Sequence, residues 1–245
     1  MRACFERSSY IFALAFVMFF AGAVSAEIDK QLVVTVRTVC DSGGSNCAST
    51  GPASNTFFEA EADKIWAQAG IDIMFVVGAN INSTFLNSSQ NSVTDFTGPL
   101  GGTGTTMYLV NNLVCPSCRL FGQAYLGAGG LVINMDAVTS FNGGVGRLDT
   151  IAHEFGHNLG IGHTEANDNF LMHSGSTRNI PSSLSEICPS GPCYDLLPTD
   201  QISLARGSSL LVDVAAIPEP ETYAMLLAGL GLLGVAARRR KQRAL

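Results

Sequence analysis

Basic residues are scarce in this sequence, and their scarcity excludes one broad class of function. The 245 residues include 14 Lys and Arg but 20 Asp and Glu, which gives a formal net charge of −6. Within residues 27–216 the imbalance grows to seven basic against seventeen acidic residues. A surface of that sign repels phosphate backbones, so we expect no nucleic-acid partner. The sequence also lacks an internal repeat, which argues against a repeat architecture.

The N-terminal apolar run is too short for a typical membrane-spanning helix. Two arginines within the first seven residues precede this run, which extends from Tyr10 to Val24, and small residues follow up to Ala26. This order predicts a signal peptide over residues 1–26, with Glu27 as the mature N-terminus. The alternative is an uncleaved membrane anchor.

The C-terminal residues 217–245 carry a second apolar run with charged flanks. A Pro-Glu-Pro segment at Pro218 precedes 16 apolar residues from Thr222 to Ala237, and the basic cluster Arg238–Lys241 follows. A helix of that length reaches about 24 Å, slightly less than a bilayer core. The basic cluster would stay on the cytoplasmic side, which leaves the main domain outside the inner membrane.

This C-terminal layout resembles the PEP-CTERM sorting tail of Gram-negative bacteria. The resemblance implies an exosortase-type processing enzyme as a partner, and membrane contact through the tail before processing. It also implies export to the cell envelope or the outside of the cell. The alternative is a permanent single-span anchor.

Cysteine usage agrees with an oxidising compartment. Six cysteines remain once Cys4 leaves with the signal peptide, and an even set in an exported chain predicts disulfides. The spacings suggest three local pairs: Cys40 with Cys47, Cys115 with Cys118, and Cys188 with Cys193. The sequence leaves the connectivity open, and Cys115 and Cys118 could instead form a redox pair or half of a second metal site.

The segment between the two signals, residues 27–216, is long enough for one domain with a sizeable core. Alternating or apolar runs predict strands near residues 31–39, 71–77 (a buried strand), 106–110 and 130–135. Helical spacing predicts one helix from Asn55 to Ala69, a second ending near Leu159, and a short last helix after Pro198. We therefore predict an α/β (α+β) fold with a mixed twisted sheet, two long helices and an irregular C-terminal part.

The four histidines of the chain all fall within 21 residues, from His153 to His173. Residues four apart lie on one face of a helix, so His153 and His157 can present two imidazoles to one ion. A continuing helix would point His163 away from that ion. Gly160 can adopt a left-handed conformation, end the helix and turn the chain back, which makes His163 a third ligand.

Three nitrogen ligands leave the fourth position of a tetrahedral zinc open, as a catalytic site requires. Glu154 is rotated about 100° from His153 on the helix, so it can reach a water on the zinc without being a ligand. The sequence thus predicts a Zn²⁺ site at His153, His157 and His163, with Glu154 as the catalytic base. A competing serine or cysteine nucleophile motif is missing. His173 is the alternative fourth ligand, but a fourth protein ligand would close the site.

The pattern His-Glu-x-x-His-x-x-Gly-x-x-His from His153 to His163 resembles the metzincin clan of zinc endopeptidases. Phe170–Ser174 resembles the clan's Met-turn, with Met172 beneath the metal. The resemblance implies a metzincin-like fold, a protein or peptide substrate, and an edge strand over Gln123–Gly127 that pairs with the extended substrate.

Two departures leave the subfamily open. Thr164 follows the third histidine where better-known subfamilies carry other residues, and no tyrosine lies two residues after Met172. We therefore expect a secreted zinc metalloendopeptidase of undefined subfamily. The alternative is a non-proteolytic, zinc-bearing adhesion or matrix module of the cell envelope. Glu154 argues against that alternative, because structural zinc needs no base and prefers four ligands.

Overall fold

The computed structural model describes residues 27–88, 92–96, 98–115, 120–174, 178–215 and 227–233. The predicted signal peptide and most of the predicted sorting tail lie outside these residues. The strands are β1 (Lys30–Cys40), β2 (Ile71–Val77), β3 (Ile81–Asn82), β4 (Thr105–Val110), β5 (Gly122–Ala124), β6 (Leu131–Asn134) and β7 (Val212–Asp213). The α-helices are α1 (Glu59–Ala67), α2 (Thr84–Ser88), α3 (Val93–Phe96), α4 (Met135–Thr139), α5 (Thr150–Asn158) and α6 (Thr199–Arg206).

One mixed sheet organises the described residues. Its order is β2-β1-β4-β6-β5, with the two-residue strands β3 and β7 also paired to β1. The pairings of β1 with β2 and β4, and of β4 with β6, are parallel, whereas β5 runs antiparallel to β6 at the edge. The predicted α/β class with a mixed sheet is confirmed. The two longest described helices, α1 and α5, have nine residues each.

The two faces of the sheet carry separate apolar clusters. Alternate β1 residues such as Leu32 and Val34 are buried against α1 and α5, because side chains along a strand point to opposite faces. The opposite face carries a smaller cluster around Tyr108 and Val110. The larger cluster fixes the helices that form the site.

Two sequence-based details differ from the structure. The first long helix begins at Glu59 rather than after Asn55, because Phe57 and Phe58 adopt positive φ angles of 60° and 52° and bury both rings. The strand β2 was predicted to be buried, but only its first half is. Because β2 is the edge strand opposite β5, its later side chains, including Val77, are exposed.

Two of the three predicted disulfides are confirmed, Cys40–Cys47 and Cys188–Cys193. The third prediction involves Cys118, which lies outside the described residues. Most of the apolar run 222–237 is also outside them, and residues 227–233 are helical. Within the described ranges, none of the helices has the length and apolar character needed to cross a bilayer.

Candidate metal centre

The helix α5 is held in place at both ends by polar contacts in the core. The indole Nε1 of Trp66 on α1 donates to the carbonyl of Ala152 at 3.2 Å. At the other end Asn158 is fully buried and donates to the carbonyls of Tyr125 and Gly130, while its Oδ1 accepts from Thr105 at 2.7 Å. These bonds tie α5 to the β4 and β5–β6 region, so the side chains on its exposed face have fixed positions.

Three histidines meet at the open face of α5. His153 and His157 lie one turn apart on the helix, and the Nε2 atom of His163 lies 3.2 Å and 3.1 Å from their Nε2 atoms. The Nδ1 atom of His153 lies 2.7 Å from the carbonyl of Leu171, and that of His157 lies 2.9 Å from the carbonyl of Ile161. A carbonyl only accepts, so these two contacts favour the tautomer that carries the proton on Nδ1 and leaves the Nε2 lone pair available to a metal.

This arrangement fits a zinc ion. Burial is the largest cause that lowers the pKa of all three imidazoles, which keeps them neutral and able to coordinate. With the proton on Nδ1, Nε2 lone pairs 3.1–3.2 Å apart repel, and a cation between them removes that repulsion. Zinc–nitrogen bonds of about 2.0–2.1 Å at a tetrahedral angle place two nitrogens about 3.3 Å apart, close to these distances. Among the described residues, His153, His157 and His163 are the one group found whose ligand atoms lie close enough together to hold a metal ion.

Gly160 produces the turn that brings His163 back to the helix. Its φ is +97°, a left-handed conformation that side chains disfavour. The Gly160 N–H donates to the carbonyl of His157, and the Ile161 N–H to that of Gly156, which completes the end of the helix. The predicted left-handed Gly160 at the end of the helix is confirmed.

Met172 lies directly beneath the metal-facing helix. It is fully buried, and its sulfur contacts the backbone of Gly156, between the two helical histidines. Its carbonyl accepts from the Thr164 N–H at 2.9 Å, which joins this turn to the segment after His163. The turn therefore supports both the helix and the third histidine.

Glu154 lies in the same cleft and is nearly fully buried. Burial is the main cause that raises the pKa of its carboxyl to about 8, with Arg178 and Arg147 opposing the shift. Gly122 on β5 faces it, and a Cβ at residue 122 would be 2.7 Å from Glu154 Cγ and 2.8 Å from Oε1. Only glycine at position 122 leaves room for this carboxylate, a requirement that the sequence pattern did not reveal.

A cleft of about 780 Å³ runs along the histidines and is walled by β5. Gly122, Gln123 and Ala124 line it, and this strand is the last in the sheet order. The edge strand expected over Gln123–Gly127 is therefore present beside the histidines, although its regular part is the shorter Gly122–Ala124.

A buried ionic network behind His153 was missed by the sequence interpretation. Arg178 donates to the carboxylate of Asp149 and to the carbonyl of Leu171, the same carbonyl that orients His153. Its Nη1 atom also lies 2.5 Å from His153 Nδ1, because both groups share that acceptor. Asp195 is fully buried nearby, and burial, followed by the charge of Asp149, raises the pKa of its carboxyl well above the usual range.

His173 takes a different position from the other three histidines. Its Nε2 lies 3.2 Å from a Glu165 carboxylate oxygen and 3.3 Å from one of Asp168. It lines the cleft but is not part of the metal-binding trio found among the described residues. These contacts agree with a structural role.

Comparison with known proteins identifies the C-terminal segment. Residues 216–241 match the PEP-CTERM protein-sorting motif, which confirms the prediction made from the tail and supports export to the cell envelope of a Gram-negative bacterium. The match covers a small part of the chain and leaves the rest unassigned. No curated protein matches the sequence.

Several solved structures are similar to this chain. Archaemetzincins from Archaeoglobus fulgidus and Methanopyrus kandleri each give a TM-score of 0.43 at 15% identity. They cover 71% and 72% of this chain, and 99% and 94% of their own chains. Metalloproteinase-II from Bacteroides fragilis gives 0.41 at 15% identity over 76% of this chain and 54% of its own. Likeness at this level says nothing about activity, so the function rests on the geometry of the site.

Proposed function

We propose that this chain is an exported zinc-dependent endopeptidase, in which His153, His157 and His163 hold the metal and Glu154 is the general base. The observation that carries the proposal is the meeting of three histidine Nε2 atoms beside a buried carboxyl group in an open cleft. Three imidazoles suit zinc and leave a coordination position for substrate or water.

Each residue of the site has a role that follows from its surroundings. When bound, zinc supplies a Lewis acid that polarises the scissile carbonyl and makes water a better nucleophile. Glu154 takes the proton from the attacking water and delivers it to the leaving amine. Burial raises the pKa of this carboxyl to about 8, and a neighbouring zinc ion would favour the ionised form that accepts the proton.

The edge strand β5 supplies a binding surface for an extended peptide. Its residues Gly122–Ala124 pair with β6 on one side and border the cleft. A peptide laid along β5 would add a strand to the sheet, with its backbone held by main-chain hydrogen bonds. Such binding contacts the backbone of the substrate along several residues. It therefore favours cleavage within a peptide chain over removal of a terminal residue.

We also propose the division of the chain on which this function depends. Residues 1–26 are the signal peptide, residues 27–216 the catalytic domain, and residues 217–245 the sorting tail. An exosortase-type enzyme recognises and removes the tail. The matched sorting motif over residues 216–241 supports the last boundary.

The test compares the purified full chain with its Glu154→Gln variant. Zinc is quantified by metal analysis, and cleavage of a broad protein and peptide panel is followed by mass spectrometry, which locates the bonds that are cut. We expect about one zinc per chain in both proteins, and a fall in kcat of about 10²–10⁴-fold in the variant. Zinc removal by a chelator should abolish cleavage, and added zinc should restore it.

Two outcomes would contradict the proposal. If both proteins bind zinc and neither cleaves any of the panel, a zinc-bearing adhesion or matrix module becomes the better interpretation. If neither protein binds zinc, the metal site itself is wrong.

A further inference from the structure

The cleft carries more positive than negative side chains, although the chain as a whole has a net charge of −6. Among the residues that line it, Arg147 and Arg178 carry guanidinium groups, and Glu154 alone carries a carboxylate. With few basic residues in the whole domain, two arginines at one cleft are a local feature that needs a physical reason.

Arg178 has such a reason within the protein. Its side chain is only 2% exposed and donates to Asp149 and to the carbonyl of Leu171. Through these bonds the Arg178 guanidinium holds the Leu171 backbone behind His153 in place. Both of its Nη atoms are engaged in this way, and its Nε, which has no hydrogen-bond partner among the described residues, is buried with them.

Arg147 has no comparable set of partners. Its one ion pair joins Nε to Asp149 Oδ1 at 3.5 Å, which is too long for a good hydrogen bond. Nε lacks a hydrogen-bond partner among the described residues, although the side chain is only 15% exposed. The guanidinium instead lies over the ring of Phe121, with Cζ 4.3 Å from the centroid. A guanidinium over an aromatic ring can still donate hydrogen bonds through its N–H groups.

Two carboxylates, those of Asp149 and Glu154, lie near the two arginines. Asp149 contacts both, and its other oxygen is taken by Arg178. Burial, followed by the charge of Asp149, raises the pKa of the Asp195 carboxyl well above its usual range. Burial also lowers the pKa of Arg147, yet an arginine in a protein stays charged. Charge alone therefore does not distinguish Arg147, whose particular feature is a guanidinium at the cleft with one long ion pair.

We propose that Arg147 forms a carboxylate-binding subsite of the cleft, so that preferred peptides carry an acidic side chain or a free C-terminal carboxylate near the bond that is cut. This inference rests on the proposed function, because it names the substrate class of the same site. The planar fork of a guanidinium matches a carboxylate with two parallel hydrogen bonds. A partly buried setting strengthens that pair relative to water.

The backbone around Arg147 keeps this side chain in position. Its N–H donates to the carbonyl of Val138 at 2.9 Å, and its carbonyl accepts from the Thr150 N–H at 3.3 Å, at the start of α5. Phe121, under the guanidinium, precedes β5 directly. Because Arg147 and β5 line the same cleft as the histidines, a peptide along β5 would pass this guanidinium.

The test uses quenched fluorescent peptides that differ only in one residue beside the cleaved bond, Glu or Gln, each made with a free C-terminal acid or a C-terminal amide. For the wild type we expect kcat/KM to favour a carboxylate by about tenfold or more, the usual worth of hydrogen bonds to a charged group. Dependence on Glu against Gln identifies a side-chain carboxylate as the ligand. Dependence on acid against amide identifies the C-terminus.

Three variants assign the preference to its residue. In Arg147→Met, which keeps an apolar stem over Phe121, the ratio between acidic and neutral peptides should fall close to one. Arg147→Lys should keep part of the ratio, because it retains the charge without the fork. Arg37→Met is the matched control, since Arg37 lies on β1 outside the lining of the cleft, and it should keep the wild-type ratio.

A binding measurement separates this inference from the proposed activity. Fluorescence anisotropy gives the Kd of the same peptides for metal-free Glu154→Gln protein, with and without Arg147→Met. A carboxylate preference that depends on Arg147 supports the subsite even if the wild type cleaves nothing, in which case only the peptidase proposal fails. Equal Kd values for acidic and neutral peptides, or a preference that survives Arg147→Met, would overturn the subsite.

Discussion

The sulfur of Met172 lies against the backbone of Gly156, so close that a Cβ at residue 156 would overlap it. Gly156 lies on α5 between His153 and His157, and Met172 is fully buried below it. The floor of the candidate metal centre is thus formed by a thioether packed on bare helix backbone. This contact links the turn after His163 to the helix that carries the other two histidines.

Gly156→Ala tests that contact. The added methyl group forces Met172 out of a filled site, and overpacking of this kind costs about 1–3 kcal/mol of unfolding free energy. We also expect weaker zinc binding, because a shift of the helix or the turn separates the three Nε2 atoms. Urea denaturation and zinc competition with a chelating dye measure the two effects. Gly43→Ala is the control, since nothing lies within 4 Å of a Cβ there; similar losses in both variants would contradict the prediction.

Gly122→Ala tests the wall that faces Glu154. A Cβ at residue 122 would be 2.7 Å from Glu154 Cγ, so the carboxylate must move. We expect kcat to fall by about tenfold or more, a partial loss of general-base catalysis. Bound zinc should stay near the wild-type level, because the three atoms nearest to a Cβ at residue 122 all belong to Glu154 and none to a histidine. Gly101→Ala, at an open position, should cleave normally; unchanged kcat in Gly122→Ala would count against Glu154 as the base.

The sequence predicted the histidine cluster because its spacing is local. One helical turn separates His153 from His157, and Gly160 provides the conformation that returns His163 to the helix. Such rules depend on neighbouring residues and on the geometry of one helix end. The strands β1 and β4 were predicted for the same reason, since their apolar residues follow a regular pattern.

The ionic network could not be predicted, because its members are distant in the sequence and follow no period. Arg178 lies 29 residues after Asp149, and Asp195 lies a further 17 residues along the chain. Their pairing depends on how the segment after Met172 folds over the start of α5. The exposure of β2 was missed for a related reason, because a strand's position at the edge of a sheet is set by topology rather than by its own residues.

Asp63 on α1 is expected to make stability depend on pH. Burial, followed by the charges of Asp72 and Glu59, raises the pKa of its carboxyl from 3.8 to about 7. In the unfolded chain the group ionises near 3.8, so the folded state holds the extra proton between these two values. The unfolding free energy should therefore fall as the pH rises from about 4 to about 7.

Asp63→Asn should remove much of this slope and make the protein more stable than wild type at pH 8, where the wild-type carboxylate is ionised in a partly buried place. Urea denaturation at several pH values measures the slope directly. Asp136→Asn, which changes an exposed carboxylate on α4, is the matched control. A variant with the same slope as wild type would show that Asp63 does not titrate in this range.

The buried pair of Arg178 and Asp149 allows a double-mutant cycle that separates support of the metal centre from simple packing. Arg178→Met leaves the buried Asp149 with only its long contact to Arg147, and breaking a buried pair costs about 3–5 kcal/mol. Asp149→Asn leaves the guanidinium without its carboxylate and should cost a similar amount. The double variant should cost less than the two single changes together, because neither charge is then left without a partner.

Zinc affinity adds a readout that packing alone would not change. Arg178 donates to the Leu171 carbonyl that orients His153, so Arg178→Met should weaken zinc binding by about 10–100-fold, as loss of an outer-shell partner does. The Asp149 side chain does not contact a metal-binding histidine directly. Asp149→Asn should therefore weaken zinc binding less than Arg178→Met. Equal zinc affinity in wild type and Arg178→Met would mean that the network stabilises the fold without positioning His153, since the carbonyl of Leu171 would then hold the imidazole unaided.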